Sequence, residues 1–161
     1  MMKRNPYFAI FVEGPSSWPR FLEDPSTEKN MFAKEVYIAR RATLVGKMGE
    51  NVPQGSRGIA LFIGNAESPA QYWDNAYKFR QDSSWLYYFG LDIPCYAAVI
   101  DLDTAEETVF ADDVEIGDII WMGPQPSVAS LAAGVGVLHT APSGKLGNVV
   151  ARAISQSRPV H

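Results

Sequence analysis

The chain has 161 residues, 47% of them hydrophobic, which fits one domain with a core of its own. Its formal net charge of −4, without a basic block, argues against nucleic-acid binding, since neutralising phosphates needs a positive face. Two histidines and one cysteine are a poor supply of metal ligands, and Cys95 cannot form an internal disulfide. We therefore expect a reducing, cytoplasmic location, and no apolar run has the length that spans a bilayer.

The first thirty residues differ from the rest, because four prolines and a run of polar residues break any periodicity. We expect residues 1–30 to be an extension upstream of a domain that spans 31–161. The apolar stretch at 7–12 is short for a signal peptide, and no small-residue cleavage site follows it. This pattern disfavours secretion.

A helical period runs over residues 33–48 and is predicted to stop at Gly49. Arg40 and Arg41 are expected toward its polar side. Residues 58–64 form a continuous apolar run between glycines, which predicts a strand covered on both faces. The apolar face of the helix contains Tyr37, Ile38, Ala42, Leu44, Val45 and Met48.

Further along the chain, shorter elements alternate between strand and helix patterns. An irregular loop is expected over 65–78, with a turn of helix near 69–73. Asp82 or Ser83 is the predicted N-cap of the helix that follows, and Gly90 closes it. The later elements are predicted as a helix over 84–89, strands over 96–102 and 108–111 joined by a turn at 103–107, helices over 114–122 and 127–133, a strand over 135–139, a helix from Ser143 to about 155, and a further strand or linker at 159–161.

The segment from Phe79 to Gly90 is the most specific feature, because an Arg-Gln-Asp-Ser step runs into a dense aromatic stretch. Together with Tyr77 before it and Trp121-Met122-Gly123 after it, this segment resembles the N-terminal domain of Xaa-Pro aminopeptidases. These enzymes are pita-bread metallopeptidases related to prolidase and creatinase, and the resemblance covers about residues 31–161. It implies an α/β, three-layer, mixed-sheet sandwich with a ribonuclease-H-like layout.

The resemblance also implies a division of labour. In that family the metal ligands and catalytic residues belong to a C-terminal domain, which would begin about where this chain ends. We therefore expect no catalytic residue and no metal ligand here, and two divalent metals, usually manganese, in the missing domain. The parent enzyme would remove the residue that precedes proline. The implied partners are that catalytic domain, further copies in a homo-oligomer, and the peptide substrate at the domain interface.

The expected role is oligomer assembly and shaping of the substrate entrance, and a stand-alone protein- or peptide-binding module of the same fold is an alternative. A third hypothesis is a hydrolase in its own right. It would use the aspartates around a predicted hairpin turn, but turn solvation explains them at lower cost. His139 is expected to be a hydrogen-bonded histidine at a strand end in the interior. The four aspartates are Asp101, Asp103, Asp112 and Asp113.

Two groups of residues in the aromatic segment carry the site predictions. Arg80 is expected to be a structural arginine tied to carboxylate and backbone groups, and the alternative is an arginine that reaches the domain interface. Arg80→Ala is expected to destabilise more than Arg40→Ala or Arg41→Ala. Its motif partners are Gln81, Asp82, Ser83 and Gly90. The aromatic area exceeds what a short helix can bury, so some rings should meet a partner. The interface candidates are Trp73, Tyr77, Trp85 and Tyr88.

Overall fold

The fold is described from a computed structural model, which covers residues 32–50, 55–70, 76–115, 117, 119–120 and 123–161. The predicted extension over 1–30 and the motif residues Trp121 and Met122 lie outside these ranges. In chain order the elements are α1 (Lys34–Glu50), β1 (Ile59–Ile63), α2 (Ser83–Tyr88), β2 (Ala97–Asp101), β3 (Glu107–Phe110), α3 (Val128–Gly134), β4 (His139–Ala141) and α4 (Leu146–Ser155). A 3₁₀ turn, Ser143–Lys145, leads into α4.

The strands form one mixed sheet in the order β1-β2-β3-β4. β1 pairs with β2 and β2 with β3 in antiparallel fashion, whereas β3 and β4 are parallel. Beyond β1, Val160 bridges Ile59 in parallel, and the N–H of His161 donates to the Ile59 carbonyl at 2.9 Å. The residues from 159 onward therefore begin a further strand, which was one of the two expectations for them.

Two apolar clusters lie on opposite faces of the sheet, because neighbouring side chains of a strand point to opposite sides. Ala98 and Ile100 of β2 join the cluster covered by α1, α2 and α3. Ala97 and Val99 join the cluster covered by α4. The result is a helix–sheet–helix sandwich, as the sequence resemblance implied. None of the described helices is both long and apolar enough to cross a membrane.

Two local predictions are wrong. Residues 135–138 form a turn after α3 instead of a strand, since Val137 N donates to the Ala132 carbonyl at 2.9 Å and Gly136 adopts a φ of +88°. The strand begins only at His139. Ser143 does not cap the last helix, because its N–H donates to Asp112 at 3.1 Å and its hydroxyl bonds the same carboxylate.

Two other predictions fall partly outside the described residues. Of the helix expected over 114–122, residues 117, 119 and 120 are helical. The turn expected near 69–73 is described only at its start, where Pro69 bridges Ala76 in antiparallel fashion.

Candidate functional site around Arg80

The short helix α2 spans Ser83–Tyr88, one residue earlier than the predicted 84–89, and Asp82, one of the two predicted N-caps, is its N-cap. The Asp82 carboxylate accepts a hydrogen bond from the Trp85 backbone N–H at 2.9 Å, which satisfies one of the free donors of the first turn. Gly90 ends the helix with a φ of +69°. A Cβ at Gly90 would lie 2.2 Å from Tyr37 Cζ, so both its backbone conformation and the close approach of Tyr37 require glycine.

Gln81 links three segments of the chain through its buried side-chain amide. Its Oε1 accepts hydrogen bonds from the backbone N–H groups of Asn65 at 2.6 Å and Asp82 at 2.8 Å. Its Nε2 donates to the Ile93 carbonyl at 2.7 Å. Buried polar groups need such partners, so Gln81 fixes the start of α2 against the end of β1 and the loop that leads to β2.

Trp85 is a core residue, which corrects its prediction as an interface residue. It is 0% exposed, its Nε1 donates to the Leu91 carbonyl at 2.7 Å, and its ring stacks on Phe89 with centroids 4.7 Å apart. Tyr88 is half-buried and packs against Phe62 at 5.1 Å.

Tyr77 is the interface candidate that the structure leaves free to meet another molecule. It is 67% exposed. Trp73 lies outside the described residues. Tyr87, which the sequence did not single out as an interface residue, is 51% exposed. Tyr77 and Tyr87 are therefore the most exposed aromatic residues in the described part of the chain.

Arg80 is exposed, so the expectation of a buried structural arginine is wrong. None of the ion pairs among the described residues joins it to Asp82. Only its backbone carbonyl has a described partner, the Asn65 side-chain amide, which donates to it at 2.9 Å.

Arg41 takes the structural role instead and is 0% exposed. Its guanidinium donates to the carbonyls of Tyr88 at 2.9 Å and Val135 at 3.0 Å, and its Nε lies 2.9 Å from Glu107 Oε1. Arg41 follows Tyr37 by one helical turn, so it belongs to the apolar face rather than the polar side. That spacing is the sequence signal that could have identified it.

An open cleft brings together two of the singled-out residues, Tyr77 and Arg80. The bridge at Pro69 and the hydrogen bond from Tyr77 N to the Ser68 carbonyl, 3.0 Å, hold the two sides of the loop together. Lys78 and Arg80 lie two residues apart in a segment without helix or turn, which favours one side for both side chains. The cleft has a volume of about 610 Å³ and is lined by Asn65, Ala66, Ser68, Tyr77, Lys78, Phe79 and Arg80.

Asp101 and Asp103 bind an arginine at the β2–β3 turn. Arg158 Nη2 lies 2.8 Å from Asp101 and 2.9 Å from Asp103. The Ser56 hydroxyl, then the Arg57 N–H and Arg158, lower the pKa of Asp103 to about 2 against some desolvation. The hydrogen bond that Arg158 donates to the Asp101 carboxylate is the main cause that raises the pKa of Arg158. The two carboxylates therefore tie the turn to the segment that begins the outer strand.

Asp112 and Asp113 lie at the opposite end of β3, so the expectation that all four aspartates flank one turn is wrong. Asp113 accepts from the Val128 N–H at 2.6 Å, at the start of α3. His139 is at a strand end as expected but not in the interior, since its side chain is 62% exposed. Among the residues that the structure describes, no group of three or more His, Cys, Asp or Glu could hold a metal ion.

The helices on both faces of a four-stranded mixed sheet define an α/β sandwich domain. A family model described as the aminopeptidase P N-terminal domain matches residues 37–161. The chain belongs to this family, which confirms the resemblance seen in the aromatic segment.

Curated relatives and solved structures agree with this assignment. The chain is 26% identical to the Homo sapiens Xaa-Pro dipeptidase over 110 residues, 68% of this chain and 21% of the relative. It is 27% identical to the Pongo abelii Xaa-Pro dipeptidase over 112 residues, 70% and 22% of the two chains. It therefore spans about a fifth of the length of these relatives.

Among solved structures, the low-pH form of aminopeptidase P from E. coli aligns with a TM-score of 0.59 and 22% identity, over 75% of this chain and 27% of that chain. The same enzyme with the inhibitor Pro-Leu gives 0.60 and 21%, over 76% and 27%. At this identity the alignments show a shared fold.

Proposed function

We propose that this chain is the non-catalytic N-terminal domain of a metal-dependent Xaa-Pro aminopeptidase, located in the cytoplasm. The catalytic domain would hold two divalent metals, supplied as manganese in an assay, and would release the residue that precedes proline. The family match supports this proposal. Three of the described aspartates are engaged within the domain, because Asp101 and Asp103 bind Arg158 and Asp113 accepts from the Val128 N–H at the start of α3.

Within such an enzyme we assign the domain to the wall of the substrate entrance. The observation that carries this role is the cleft in which Tyr77, Lys78 and Arg80 meet. An arginine can bind a carboxylate with two parallel hydrogen bonds. An exposed ring beside it offers apolar contact to a side chain. This pair of features suits the free C-terminus of a short peptide.

Assembly into an oligomer is the second part of the proposed role, and the surface around Arg40 supports it. The Arg40 guanidinium lies over the rings of Phe32, 4.5 Å from the centroid, and Tyr87, 4.1 Å from the centroid. It also donates to the Tyr87 carbonyl at 2.8 Å. Aromatic and arginine side chains of this kind are enriched at the centres of protein interfaces.

The entrance role can be tested on a chain that carries the catalytic domain. Arg80→Gln should lower kcat/KM roughly 10- to 100-fold for an Xaa-Pro-Xaa peptide with a free carboxylate, the range for losing a hydrogen bond to a charged group. The same peptide as a C-terminal amide should react equally well with both proteins. Lys34→Gln, an exposed cation on α1, is the matched control. Equal losses on the acid and the amide would refute carboxylate recognition.

The alternative is a stand-alone peptide-binding module of the same fold, without peptidase activity. The cleft supports this alternative, because residues of this chain line it without a second domain. The two hypotheses differ in the gene: a reading frame that continues after His161 into a domain with carboxylate and histidine ligands supports the first. Binding of a free-carboxylate peptide by a chain with no such continuation supports the second.

A further inference from the structure

A second concave surface lies on the face of the sheet opposite α2. It is a groove of about 490 Å³ between α4 and the strands, which is in the range of clefts that bind small ligands. Val99, Phe110 and Ala141 give it an apolar floor, and Val149 of α4 adds to its wall. The groove shares no lining residue with the cleft at Arg80.

Two basic side chains on the α4 side of the groove have no acidic partner. Lys145 and Arg152 are exposed, and neither takes part in an ion pair among the described residues. The third cation of the lining, Arg158, is already bound by Asp101 and Asp103. The unpaired positive charge therefore lies along α4.

The spacing of these charges defines what they can bind. Lys145, Val149 and Arg152 follow one another by four and three residues, so they form one stripe along the helix. At 1.5 Å per residue the two cations are about 10 Å apart along the axis, with an apolar side chain between them. The side chains of an extended peptide alternate between its two sides, so residues four apart share a side at a separation of about 13 Å, which two long basic side chains can reach.

We propose that this groove binds an acidic peptide segment, with one carboxylate on Lys145, another on Arg152, and apolar residues between them on Val149 and the strand floor. A polyanionic nucleic acid fits less well, because Asp101 and Glu106 also line the groove and the chain carries a net charge of −4. An acidic peptide, unlike a nucleic acid, can place two carboxylates on the two cations and apolar side chains on the floor of the groove. This assignment does not depend on the proposed enzymatic role.

Fluorescence anisotropy on the 161-residue chain tests it with a labelled, end-capped Glu-Leu-Leu-Leu-Glu pentapeptide, whose two glutamates share one side when it is extended. The probe should bind saturably and more weakly as salt is raised, whereas Gln-Leu-Leu-Leu-Gln and Lys-Leu-Leu-Leu-Lys should bind at least tenfold more weakly, about 1.4 kcal/mol. Arg152→Glu should weaken binding of the acidic probe at least tenfold. Lys34→Glu, which makes the same charge change on α1, should leave binding unchanged. Lys145→Glu supplies the same test if circular dichroism shows that Arg152→Glu does not fold.

Three outcomes would overturn the proposal. The first is no saturable binding of the acidic probe up to about 1 mM, the weak end of specific affinities. The second is equal binding of the neutral probe, or an equal loss in Lys34→Glu, which would mean apolar or long-range attraction. The third is self-association of the chain that Arg152→Glu abolishes, which would assign the groove to a second copy.

Discussion

Replacing Arg41 with alanine is expected to destabilise the domain far more than the same change at Arg80. The substitution removes one partner of a buried ion pair and the donors of two backbone carbonyls, those of Tyr88 and Val135. Removing one partner of such a pair costs roughly 3–5 kcal/mol. Arg80 is exposed, and surface substitutions usually stay within about 0.5 kcal/mol. This order reverses the one expected from the sequence.

The assay is thermal and urea denaturation of the isolated chain at neutral pH. For a chain of this length each kcal/mol shifts Tm by about 2–4 °C, so Arg41→Ala should lower Tm by about 6–20 °C and Arg80→Ala by about 2 °C or less. Arg40→Ala should fall between them, at about 1 kcal/mol, because it loses a surface cation–π contact and one carbonyl bond. A Tm for Arg80→Ala as low as that for Arg41→Ala would refute the reasoning.

Three further predictions concern acid, the N-terminal segment and catalysis. The folded pKa of Asp103 is about 2, below its ordinary 3.8, so its contribution to stability is present above about pH 4 and is lost as pH falls toward 2. Asp103→Asn should therefore flatten that part of the acid-unfolding curve. Asp92→Asn, which changes an exposed carboxylate, should leave the curve unchanged. Deleting residues 1–30 should leave cooperative unfolding intact, and a fall in stability beyond about 2 kcal/mol would show that the segment packs on the core. The 161-residue chain should not hydrolyse Xaa-Pro peptides with or without manganese, since metal-dependent peptide hydrolysis needs convergent ligands. Metal-dependent release of the first residue, abolished by Asp101→Asn, would contradict this prediction.

Local signals in the sequence predicted most of the framework. The apolar run between Gly58 and Gly64 forms β1. Asp82 caps the start of α2, and Gly90 follows its end. At both ends of α2 the deciding feature lies within a few residues of the helix: a side-chain cap at its N-terminus and a glycine with a positive φ after its C-terminus. Such interactions can be read from a window of sequence.

Interactions between distant segments were the ones that the sequence could not give. Arg41 is buried because Glu107 of β3 and the Val135 carbonyl are there to meet it, and neither lies near it in the chain. The composition around Val135 and Val137 predicts a strand. Both residues instead follow α3 in a turn, and their side chains are buried there. The same apolar residues suit a buried strand or a buried turn, because burial and not backbone geometry determines which residues are apolar.

The burial of Trp85 removes this residue from the candidate interaction surfaces. α2 uses its tryptophan to fix the core through Leu91 and Phe89, so Tyr87 is the aromatic side chain that this helix leaves exposed for contacts. The cleft at Tyr77 and Arg80 lies beside the end of β1, and the groove at Lys145 and Arg152 lies across the sheet. Effects of substitutions at distant sites without shared partners add. Arg80→Gln and Arg152→Glu should therefore act independently, each weakening one ligand and sparing the other, and a coupled response would mean that a single partner spans both surfaces.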